Sequence, residues 1–210
     1  MNVLVVVPVR LESTRFPNKP LYKIKGREMV LRVLDNLPSF KKIVATPNLP
    51  IAEVVTQAGY DVFVTQRKAD CGTDRLVELA ESIEADIYVN VQGDEPLISE
   101  DTVRAIVEAK IANPDKVVTG IANLDNNKNC VKVIPDQQAM SREVYQHIGI
   151  YAFNGAELRR FGEGEVWEDI EITRFLSMKY PVHFVQVERT QAVDRLEDIK
   201  EVERIVCQKK

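Results

Sequence analysis

The chain has 210 residues, of which 45% are hydrophobic and 29% are charged, a composition typical of a soluble globular protein. This length fits one domain with a substantial buried core. The formal net charge of −4 provides no overall positive field that would attract nucleic acid, so any polyanion must be bound by a local cluster of cations.

The cysteines and the first residues indicate the cellular compartment. Cys71, Cys130 and Cys207 are an odd number, widely separated and without a Cys-x-x-Cys pair, so neither a structural disulfide nor a zinc site is expected. The first apolar run has no basic residues before it and is too short to cross a bilayer. We therefore expect a cytoplasmic protein that does not associate with membranes.

The first third of the chain alternates between strand and helix patterns. Strands are predicted at residues 3–7, 42–46 and 61–65, with helices at 29–37 and from Pro50 to Gly59 between them. The run of aliphatic residues in the first strand is typical of a strand buried on both faces, at the centre of a parallel sheet. This order predicts a doubly wound α/β sheet with right-handed crossovers.

The loop after the first strand is rich in cations and hydrogen-bond donors. It contains three cations, two hydroxyls and three prolines, namely Arg10, Arg15 and Lys19, Ser13 and Thr14, and Pro8, Pro17 and Pro20. Open α/β sheets bind phosphates at the carboxyl ends of their strands, and prolines reduce the entropy that a loop loses on binding. The sequence therefore predicts an anion site here, with a solvated, charged loop as the alternative.

A polar turn, Gly72-Thr73-Asp74-Arg75, precedes a predicted helix at 76–83. Its backbone N–H groups and the Arg75 guanidinium would suit a nucleotide. A helix cap formed by Thr73 or Asp74, beside a surface arginine, fits the same residues. The pattern is equally compatible with both interpretations.

A carboxylate motif follows the fourth predicted strand, at 86–91. In the sequence Gln92-Gly93-Asp94-Glu95-Pro96, Asp94 lies at the carboxyl end of this strand and across from the cationic loop, where a carboxylate suits Mg²⁺. Gly93 would let the backbone pass close to a ligand. An acidic turn that only ends the strand is the alternative.

The pattern changes after a helix predicted at 99–112. Three strands without long helices between them indicate antiparallel pairing and a mixed sheet. These strands are predicted at 117–119, 131–134 and 147–153, followed by helices at 155–161 and 168–180, a strand at 182–187 and a helix at 196–206. Because no repeat or linker occurs, we predict a single domain over residues 1–210, with a nucleotide-binding half at 1–112 and a second half at 113–210.

Asp194 lies immediately after the last predicted strand. By itself it is most simply a helix N-cap, but Mg²⁺ held between a triphosphate and a second substrate usually needs more than one carboxylate, and Asp94 occupies a similar position.

His147 lies in an apolar stretch, as core histidines do. The chain has no Walker A sequence and no dinucleotide fingerprint, which disfavours ordinary kinases and dehydrogenases.

Together these blocks resemble the 3-deoxy-D-manno-octulosonate cytidylyltransferases, or CMP-Kdo synthetases, with this chain as a divergent and shortened member. The resemblance covers nearly the whole chain, and its first and third blocks are specific as a pair. The blocks are Pro8-x-Arg10-x-x-Ser13-Thr14-Arg15-x-Pro17-x-Lys19-Pro20-Leu21, Gly72-Thr73-x-Arg75-Leu76, Val89-Asn90-Val91-Gln92-Gly93-Asp94-Glu95-Pro96, His147-x-Gly149-Ile150-Tyr151, Glu168-x-Ile170-Glu171 and Val193-Asp194-x-x-Glu197-Asp198.

The resemblance implies a Rossmann-like nucleotidyltransferase fold with three α/β/α layers and a mixed, mostly parallel sheet. It implies a reaction in which CTP and a 2-keto sugar acid, Kdo first of all, give a CMP-sugar and pyrophosphate, with Mg²⁺ as cofactor. It also implies a homodimer that serves lipopolysaccharide biosynthesis. Residues 113–210 would then bind the sugar and form the dimer.

The resemblance further implies roles for individual residues. Arg10, Lys19 and Asp94 would act in catalysis, and Asp94 and Asp194 would hold Mg²⁺. The nucleotide would contact Pro8, Arg10, Ser13, Thr14, Arg15, Lys19, Gly72, Thr73, Arg75 and Gln92, and the sugar would contact Arg142, His147, Tyr151 and Glu171.

The chain departs from the family pattern at several places. Asn18 stands where the family has glycine, Ala69-Asp70-Cys71 replaces a His-Gln-Ser-like triplet, and the segment from Ser141 to His147 is abbreviated. A Glu-Gln-Leu-Arg-like run after Glu171 is also replaced. Two alternatives therefore stay open: a nucleotidyltransferase for another acid, such as 8-amino-Kdo or a nonulosonic acid, and a catalytically degenerate CTP-binding regulatory protein.

Overall fold

The computed structural model describes residues 1–13, 15–124, 131–134, 144–165 and 170–208. Within these ranges the strands are β1 (Val3–Pro8), β2 (Lys23–Ile24), β3 (Arg27–Glu28), β4 (Lys41–Thr46), β5 (Asp61–Val64), β6 (Ile87–Val91), β7 (Val117–Asn123), β8 (Lys132–Val133), β9 (Tyr145–Phe153) and β10 (Val182–Gln186). The α-helices are α1 (Met29–Asn36), α2 (Leu49–Gln57), α3 (Gly72–Ala80), α4 (Glu100–Ala112), α5 (Gly155–Arg160), α6 (Thr173–Ser177) and α7 (Asp198–Gln208).

Eight of these strands form one mixed sheet in the order β10-β7-β9-β6-β1-β4-β5, with β8 paired to β9. β1 pairs in parallel with β4 on one side and with β6 on the other. β9 runs antiparallel to both β6 and β7, while β10 is parallel to β7. The predicted mixed, mostly parallel sheet is therefore confirmed, and the long antiparallel strand β9 is the reason that it is mixed.

The side chains of β1 enter two separate cores. Val5 and Val7 pack on one face of the sheet with residues of α1, α2 and α4. Leu4 and Val6 pack on the other face with residues of α3, α5 and α6. Successive side chains of a strand point to opposite faces, so a strand covered on both sides needs apolar residues at every position. The predicted central strand and the three-layer arrangement are thus confirmed.

The starts of two helices differ from the prediction. α3 begins at Gly72 after the N-cap residue Cys71, and Asp74 accepts hydrogen bonds from the backbone N–H groups of Asp70 and Cys71. The expectation that Thr73 or Asp74 is the N-cap is therefore wrong, although Asp74 does satisfy free N–H groups from inside the first turn. α7 begins at Asp198, two residues later than predicted, so Asp194 lies before the helix.

The helix predicted at 168–180 is much shorter. Residues 166–169 lie outside the described residues, and the helix present is the five-residue α6. Lys179 has a left-handed backbone, with φ of 54°, which ends any continuation of the helix. The apolar spacing at Ile172 and Phe175 reflects packing of this short turn against α3 and β9 rather than a long amphipathic helix.

No helix in the described ranges is long and apolar enough to cross a membrane.

A buried ion pair joins α4 to α5. The Lys110 Nζ atom lies 2.8 Å and 2.7 Å from the two carboxylate oxygens of Glu157, and both side chains are almost completely buried, at 1% and 0% exposure. Lys110 also donates to the carbonyl oxygens of Pro114, at 3.1 Å, and Lys116, at 2.6 Å. Burial lowers the pKa of Lys110, and these acceptors offset part of the cost of desolvating its charge.

Breaking this pair from one side should strongly destabilise the fold. In Glu157→Gln the buried ammonium loses its counter-charge, so we expect the free energy of unfolding to fall by roughly 3–5 kcal/mol. The double variant Lys110→Met, Glu157→Leu should recover most of this loss, because it leaves no charge buried. Urea denaturation of the three proteins measures the effect, and a loss of less than about 1 kcal/mol in Glu157→Gln would contradict it.

Candidate active site

The carboxyl ends of β1 and β6 open into a cleft of about 1340 Å³. Its lining includes the loop after β1, the start of α3, the loop after β6 and the chain before α7, together with Val131, Gly164 and residues of 170–174. A smaller cavity of about 400 Å³ adjoins it on the side of β9 and shares several lining residues with it. The two cavities lie where open α/β sheets bind their ligands, outside the carboxyl ends of the strands.

The ammonium group of Lys19 connects three of these segments. Its Nζ atom lies 2.8 Å from Asp94 Oδ2 and donates to the Val193 carbonyl oxygen, also at 2.8 Å. The backbone N–H of Val193 in turn donates to the Asp94 carbonyl oxygen at 2.9 Å. The side chains of Lys19 and Asp94 keep 15% and 29% exposure, so both groups remain accessible from the cleft.

Local interactions give the cationic loop its shape. Asn18 adopts a left-handed backbone with φ of 57°, and a single 3-10 turn, Lys19–Leu21, follows it. The Ser13 hydroxyl accepts a hydrogen bond from the Phe16 N–H at 3.2 Å, which closes the preceding turn. Asparagine tolerates this conformation better than most residues, so the departure from glycine at this position leaves the loop intact.

Gly93 is required by a contact within the protein. A Cβ atom at this position would lie 2.1 Å from Val9 Cγ1 and 3.1 Å from the Pro8 carbonyl oxygen. The loop after β6 therefore passes directly against the end of β1. Gly93 also lines the cleft, so its predicted closeness to a ligand stays a prediction, and the structure adds a second reason for the glycine in the contact with Val9.

Asp194 forms the second carboxylate of the cleft. Its Oδ1 atom lies 3.4 Å from Arg15 Nη2, with 44% and 64% of the two side chains exposed. Asp94 and Asp194 line both cavities. Within the described part of the chain no group of three or more His, Cys, Asp and Glu residues is placed to hold a metal ion. Mg²⁺ commonly uses one or two protein carboxylates with substrate phosphates and water, so this oxygen donor pair fits it.

A buried carboxylate occupies the start of α3. Glu171 accepts hydrogen bonds from the N–H groups of Gly72, at 2.7 Å, and Thr73, at 3.3 Å, and from the Thr73 hydroxyl. Asn90 donates to the Thr73 hydroxyl oxygen at 2.8 Å. Burial raises the pKa of Glu171. The helix-terminal donors that the sequence offered to a nucleotide are therefore already used by the protein's own carboxylate.

Two guanidinium groups, those of Arg10 and Arg75, concentrate positive charge in the larger cleft. Arg75 is only 5% exposed and donates to the Cys71 carbonyl oxygen at 3.1 Å. Burial, and next the nearby Arg10, lowers the pKa of Arg75. The Nε atom of Arg75 is buried and has no hydrogen-bond partner among the described residues. Cations brought together in this way favour an anion between them.

Neutral and buried polar groups line the smaller cavity. His147 Nε2 lies 3.0 Å from Thr119 Oγ1, and burial lowers the pKa of His147 to about 4, so the ring is neutral at pH 7. Its ring centroid lies 5.4 Å from that of the buried Tyr151. Glu95 accepts from the Thr190 hydroxyl at 2.9 Å and the Gly149 N–H at 3.2 Å. Burial, and then the Asp94 charge, raises the pKa of Glu95 to about 7.

The structure brings most of the predicted site residues together. The larger cleft is lined by Pro8, Arg10, Ser13, Arg15, Lys19, Gly72, Arg75, Gln92, Asp94, Glu171 and Asp194. His147 and Tyr151 line the smaller cavity. Thr73 is fully buried and does not line either cavity, while Thr14 and Arg142 lie outside the described residues.

Several lining residues were not among the predicted ones. Glu12 and Arg174 line the larger cleft, and Glu95, Gln146 and Asp198 line the smaller cavity. Glu95 stands next to Asp94 in the motif, so its position was the available signal. Glu12 and Asp198 lie within blocks that the sequence singled out, whereas Gln146 and Arg174 show no such signal and reach the site through tertiary packing.

The fold and the cleft define a Rossmann-like nucleotidyltransferase, with a cationic loop at the end of the central strand, Asp94 after the neighbouring strand β6 and Asp194 on the chain before α7. The profile of the cytidylyltransferase family matches residues 4–210, and the chain belongs to this family. The prediction of a cytidylyltransferase enzyme is therefore confirmed.

Two relatives span nearly the whole chain. The chain is 32% identical to the 3-deoxy-manno-octulosonate cytidylyltransferase of Chlorobium phaeobacteroides (strain DSM 266) over 241 aligned positions, with 98% of each chain covered. It is 31% identical to the enzyme of that name from Francisella tularensis subsp. novicida, with 97% and 98% covered. Because the first alignment is longer than this chain of 210 residues, the chain is the shorter one, as predicted.

Solved structures agree with this assignment. A structure of CMP:2-keto-3-deoxy-manno-octonic acid synthetase complexed with CTP is 25% identical, has a TM-score of 0.88 and is covered completely, as is this chain. A 4-diphosphocytidyl-2C-methyl-D-erythritol synthase from Anaerococcus prevotii is 14% identical with a TM-score of 0.70, over 98% of each chain, and shares the fold.

The neutral His147 makes stability depend on pH. Its pKa of about 4 in the folded state lies below the ordinary value near 6.5, so the unfolded chain binds the extra proton first as the pH falls. The stabilisation is complete above about pH 7 and is lost between about pH 6.5 and 4. At pH 4.5 we expect wild type to lose roughly 2–3 kcal/mol more than His147→Gln, relative to pH 7.5. Parallel losses in urea denaturation would contradict this.

Proposed function

We propose that this cytidylyltransferase joins the cytidylyl group of CTP to the anomeric hydroxyl of a 2-keto sugar acid, with Kdo as the acceptor, and releases pyrophosphate in a Mg²⁺-dependent reaction. The observation that carries the proposal is the single cleft in which the cationic loop meets Asp94 and Asp194. Kdo is the proposed acceptor because the relatives described above are named for this sugar acid.

The cations act on the triphosphate. Arg10, Arg15 and Lys19 would bind the phosphate oxygens and neutralise the charge that grows on the leaving group. The acceptor hydroxyl oxygen forms a bond to the α-phosphorus, and the bond from this phosphorus to its bridging oxygen breaks. Pyrophosphate leaves with that electron pair, and the hydroxyl proton passes to solvent. Catalysis by positioning and charge neutralisation suits a cleft built from cations and carboxylates.

Asp94 and Asp194 would hold the metal ion. Bound there, Mg²⁺ supplies polarisation of the α-phosphate and orientation of the acceptor hydroxyl. Asp94 pairs with the Lys19 ammonium at 2.8 Å in the ligand-free protein. Lys19 would give up the Asp94 carboxylate when a metal ion is bound, and its ammonium would then be free to bind a phosphate oxygen. The two partners of this ion pair would then bind opposite charges, Asp94 the metal ion and Lys19 a phosphate oxygen.

The smaller cavity takes the acceptor. The neutral His147 and the phenol of Tyr151 offer hydrogen bonds to sugar hydroxyls, and Glu171 lies at the boundary with the larger cleft. Arg195 lines this cavity and would bind the acceptor's carboxylate, together with the predicted contribution of Arg142. The homodimer, the cytoplasmic location and the link to lipopolysaccharide biosynthesis stay predictions.

Pyrophosphate release tests the proposal directly. CTP is incubated with Mg²⁺ and with Kdo, 8-amino-Kdo, a nonulosonic acid or no acceptor, and we expect the fastest release with Kdo and none after chelation of the metal. Asp94→Asn should lose at least about 100-fold in kcat while keeping its circular dichroism spectrum and melting temperature, because the amide is isosteric but carries no charge.

The outcomes separate the alternatives. Preference for another acid would assign a different acceptor to the same reaction. Binding of CTP without pyrophosphate release from any acceptor would instead establish the regulatory alternative and refute the enzyme proposal.

Lys19→Ala should weaken CTP binding. Loss of one charge-assisted hydrogen bond is worth about 1.5–3 kcal/mol, so we expect the Kd for CTP to rise about 10- to 150-fold in isothermal titration calorimetry. Lys23→Ala is the matched control, since Lys23 is 63% exposed, lies 3.4 Å from Glu28 and does not line the cleft. Equal affinities for the two variants would show that Lys19 does not bind the triphosphate.

A further inference from the structure

We propose that Asp198 is a positioning residue that fixes Asp194, so that the C-terminal helix α7 sets the geometry of the metal-binding carboxylates. This inference rests on the proposed function, because it takes Asp194 as a ligand of the metal ion. It assigns a role to the end of the Val193–Asp198 block, to which the family resemblance gave no function.

The first observation is the hydrogen bonding of Asp198. Its Oδ2 atom accepts hydrogen bonds from the backbone N–H groups of Asp194 and Arg195, each at 2.8 Å. The Asp198 N–H donates to the Arg195 carbonyl oxygen at 3.1 Å. Since Asp198 is the first residue of α7, the backbone of Asp194 is attached directly to the start of this helix.

The second observation is that, among the described residues, few other contacts restrain the Asp194 side chain. Its side chain is 44% exposed, and its ionic partner Arg15, at 3.4 Å, is 64% exposed. An ion pair this exposed to water is worth at most about 1 kcal/mol and holds a carboxylate poorly. The position of Asp194 is therefore determined by its backbone, and that backbone is bound by Asp198.

The third observation is an apolar cluster beneath the site. Val193 is fully buried and packs with Ile199 and Val202 of α7. The same cluster includes Phe16, from the cationic loop, and Leu97, which follows the Asp94 motif. One small core under the cleft thus receives a side chain from each of the three segments that carry the proposed charged groups.

The backbone of Val193 connects the segment before α7 to Asp94 and Lys19 by hydrogen bonds. Its N–H donates to the Asp94 carbonyl oxygen at 2.9 Å, and its carbonyl accepts from Lys19 Nζ at 2.8 Å. A shift of α7 would therefore move Asp194 directly and disturb Asp94 and Lys19 through Val193. Groups that orient metal ligands in this manner typically change metal affinity or activity by about 10- to 100-fold when they are removed.

Asp198 also lines the smaller cavity, so direct contact with the acceptor is the competing explanation of any loss of activity. The variant Asp198→Asn distinguishes a positioning role from a role that depends on the negative charge of Asp198. Only one oxygen of Asp198 accepts both hydrogen bonds, and the amide oxygen of asparagine can replace it without the negative charge. Positioning predicts rescue by Asp198→Asn, whereas a role that depends on the charge predicts no rescue.

Asn154→Ala is the matched control. Asn154 Oδ1 accepts the Glu157 N–H at 2.9 Å at the start of α5, so its removal also costs a helix-terminal hydrogen bond. It follows Phe153, which pairs with Tyr88 near the beginning of β6, whereas Asp94 lies beyond the other end of that strand. A comparable fall in melting temperature is expected for Asn154→Ala and Asp198→Ala, with different effects on the site.

The experiment measures binding of Mn²⁺ to the CTP complex by electron paramagnetic resonance, with CTP affinity and kcat measured alongside. We expect Mn²⁺ affinity to fall about 10- to 100-fold in Asp198→Ala, to return to within about 3-fold of wild type in Asp198→Asn and to be unchanged in Asn154→Ala. Should Asp198→Ala fail to fold, Val202→Ala is compared with the equally buried Val103→Ala of α4, and only the former should lose Mn²⁺ affinity.

Wild-type affinity in Asp198→Ala, or, if that variant does not fold, in Val202→Ala, would overturn this inference and leave the proposed function intact. Equal losses in Asp198→Ala and Asp198→Asn would also overturn it, because they would show that the charge is what matters. Absence of Mn²⁺ binding by the wild-type CTP complex would overturn the proposed metal site and this inference together.

Discussion

The ammonium group of Lys19 is held between the Asp94 carboxylate and the Val193 carbonyl oxygen, at 2.8 Å from each. Three segments that are far apart in the chain meet at this one charge, the loop after β1, the loop after β6 and the segment before α7. In a partly exposed site such a contact is strong enough to organise the loops and weak enough to exchange for a ligand. The rest of the cleft is arranged around it.

Burial changes the pKa values of the groups on either side of the Lys19–Asp94 contact. In the larger cleft, Arg10 lies close enough to Arg75 to lower the pKa of Arg75 further, after the effect of burial. The two positive charges favour an anion between them. On the opposite side burial keeps His147 neutral and raises the pKa of Glu95 to about 7. The smaller cavity therefore combines the neutral groups His147 and Tyr151 with charged side chains at its border with the larger cleft.

Glu171 occupies hydrogen-bond donors that the sequence suggested for a ligand. The N–H groups of Gly72 and Thr73 were expected at the nucleotide, yet the buried Glu171 carboxylate accepts both of them. Gly93 was expected beside a ligand, and besides lining the cleft it lies against Val9. Both expectations rested on local chemistry alone. A donor or a glycine has the same appearance in the sequence whether its neighbour is a substrate or another segment of the chain.

The sequence by itself determined the central strand, most of the order of strands and helices, the cationic loop and the carboxylate Asp94 at the end of β6. These follow from periods of two and 3.6 residues and from charged residues at the ends of apolar runs, which are local properties. Asp194 lies beyond the end of β10, on the chain before α7. Tertiary structure decided that Glu171 closes the start of α3, that β9 inserts antiparallel between β6 and β7, and that α7 holds Asp194 through Asp198. The first two depend on contacts between residues distant in the chain, which no local pattern carries. Asp198 and Asp194 are close in sequence, but only the packing of α7 places their contact beside the cleft.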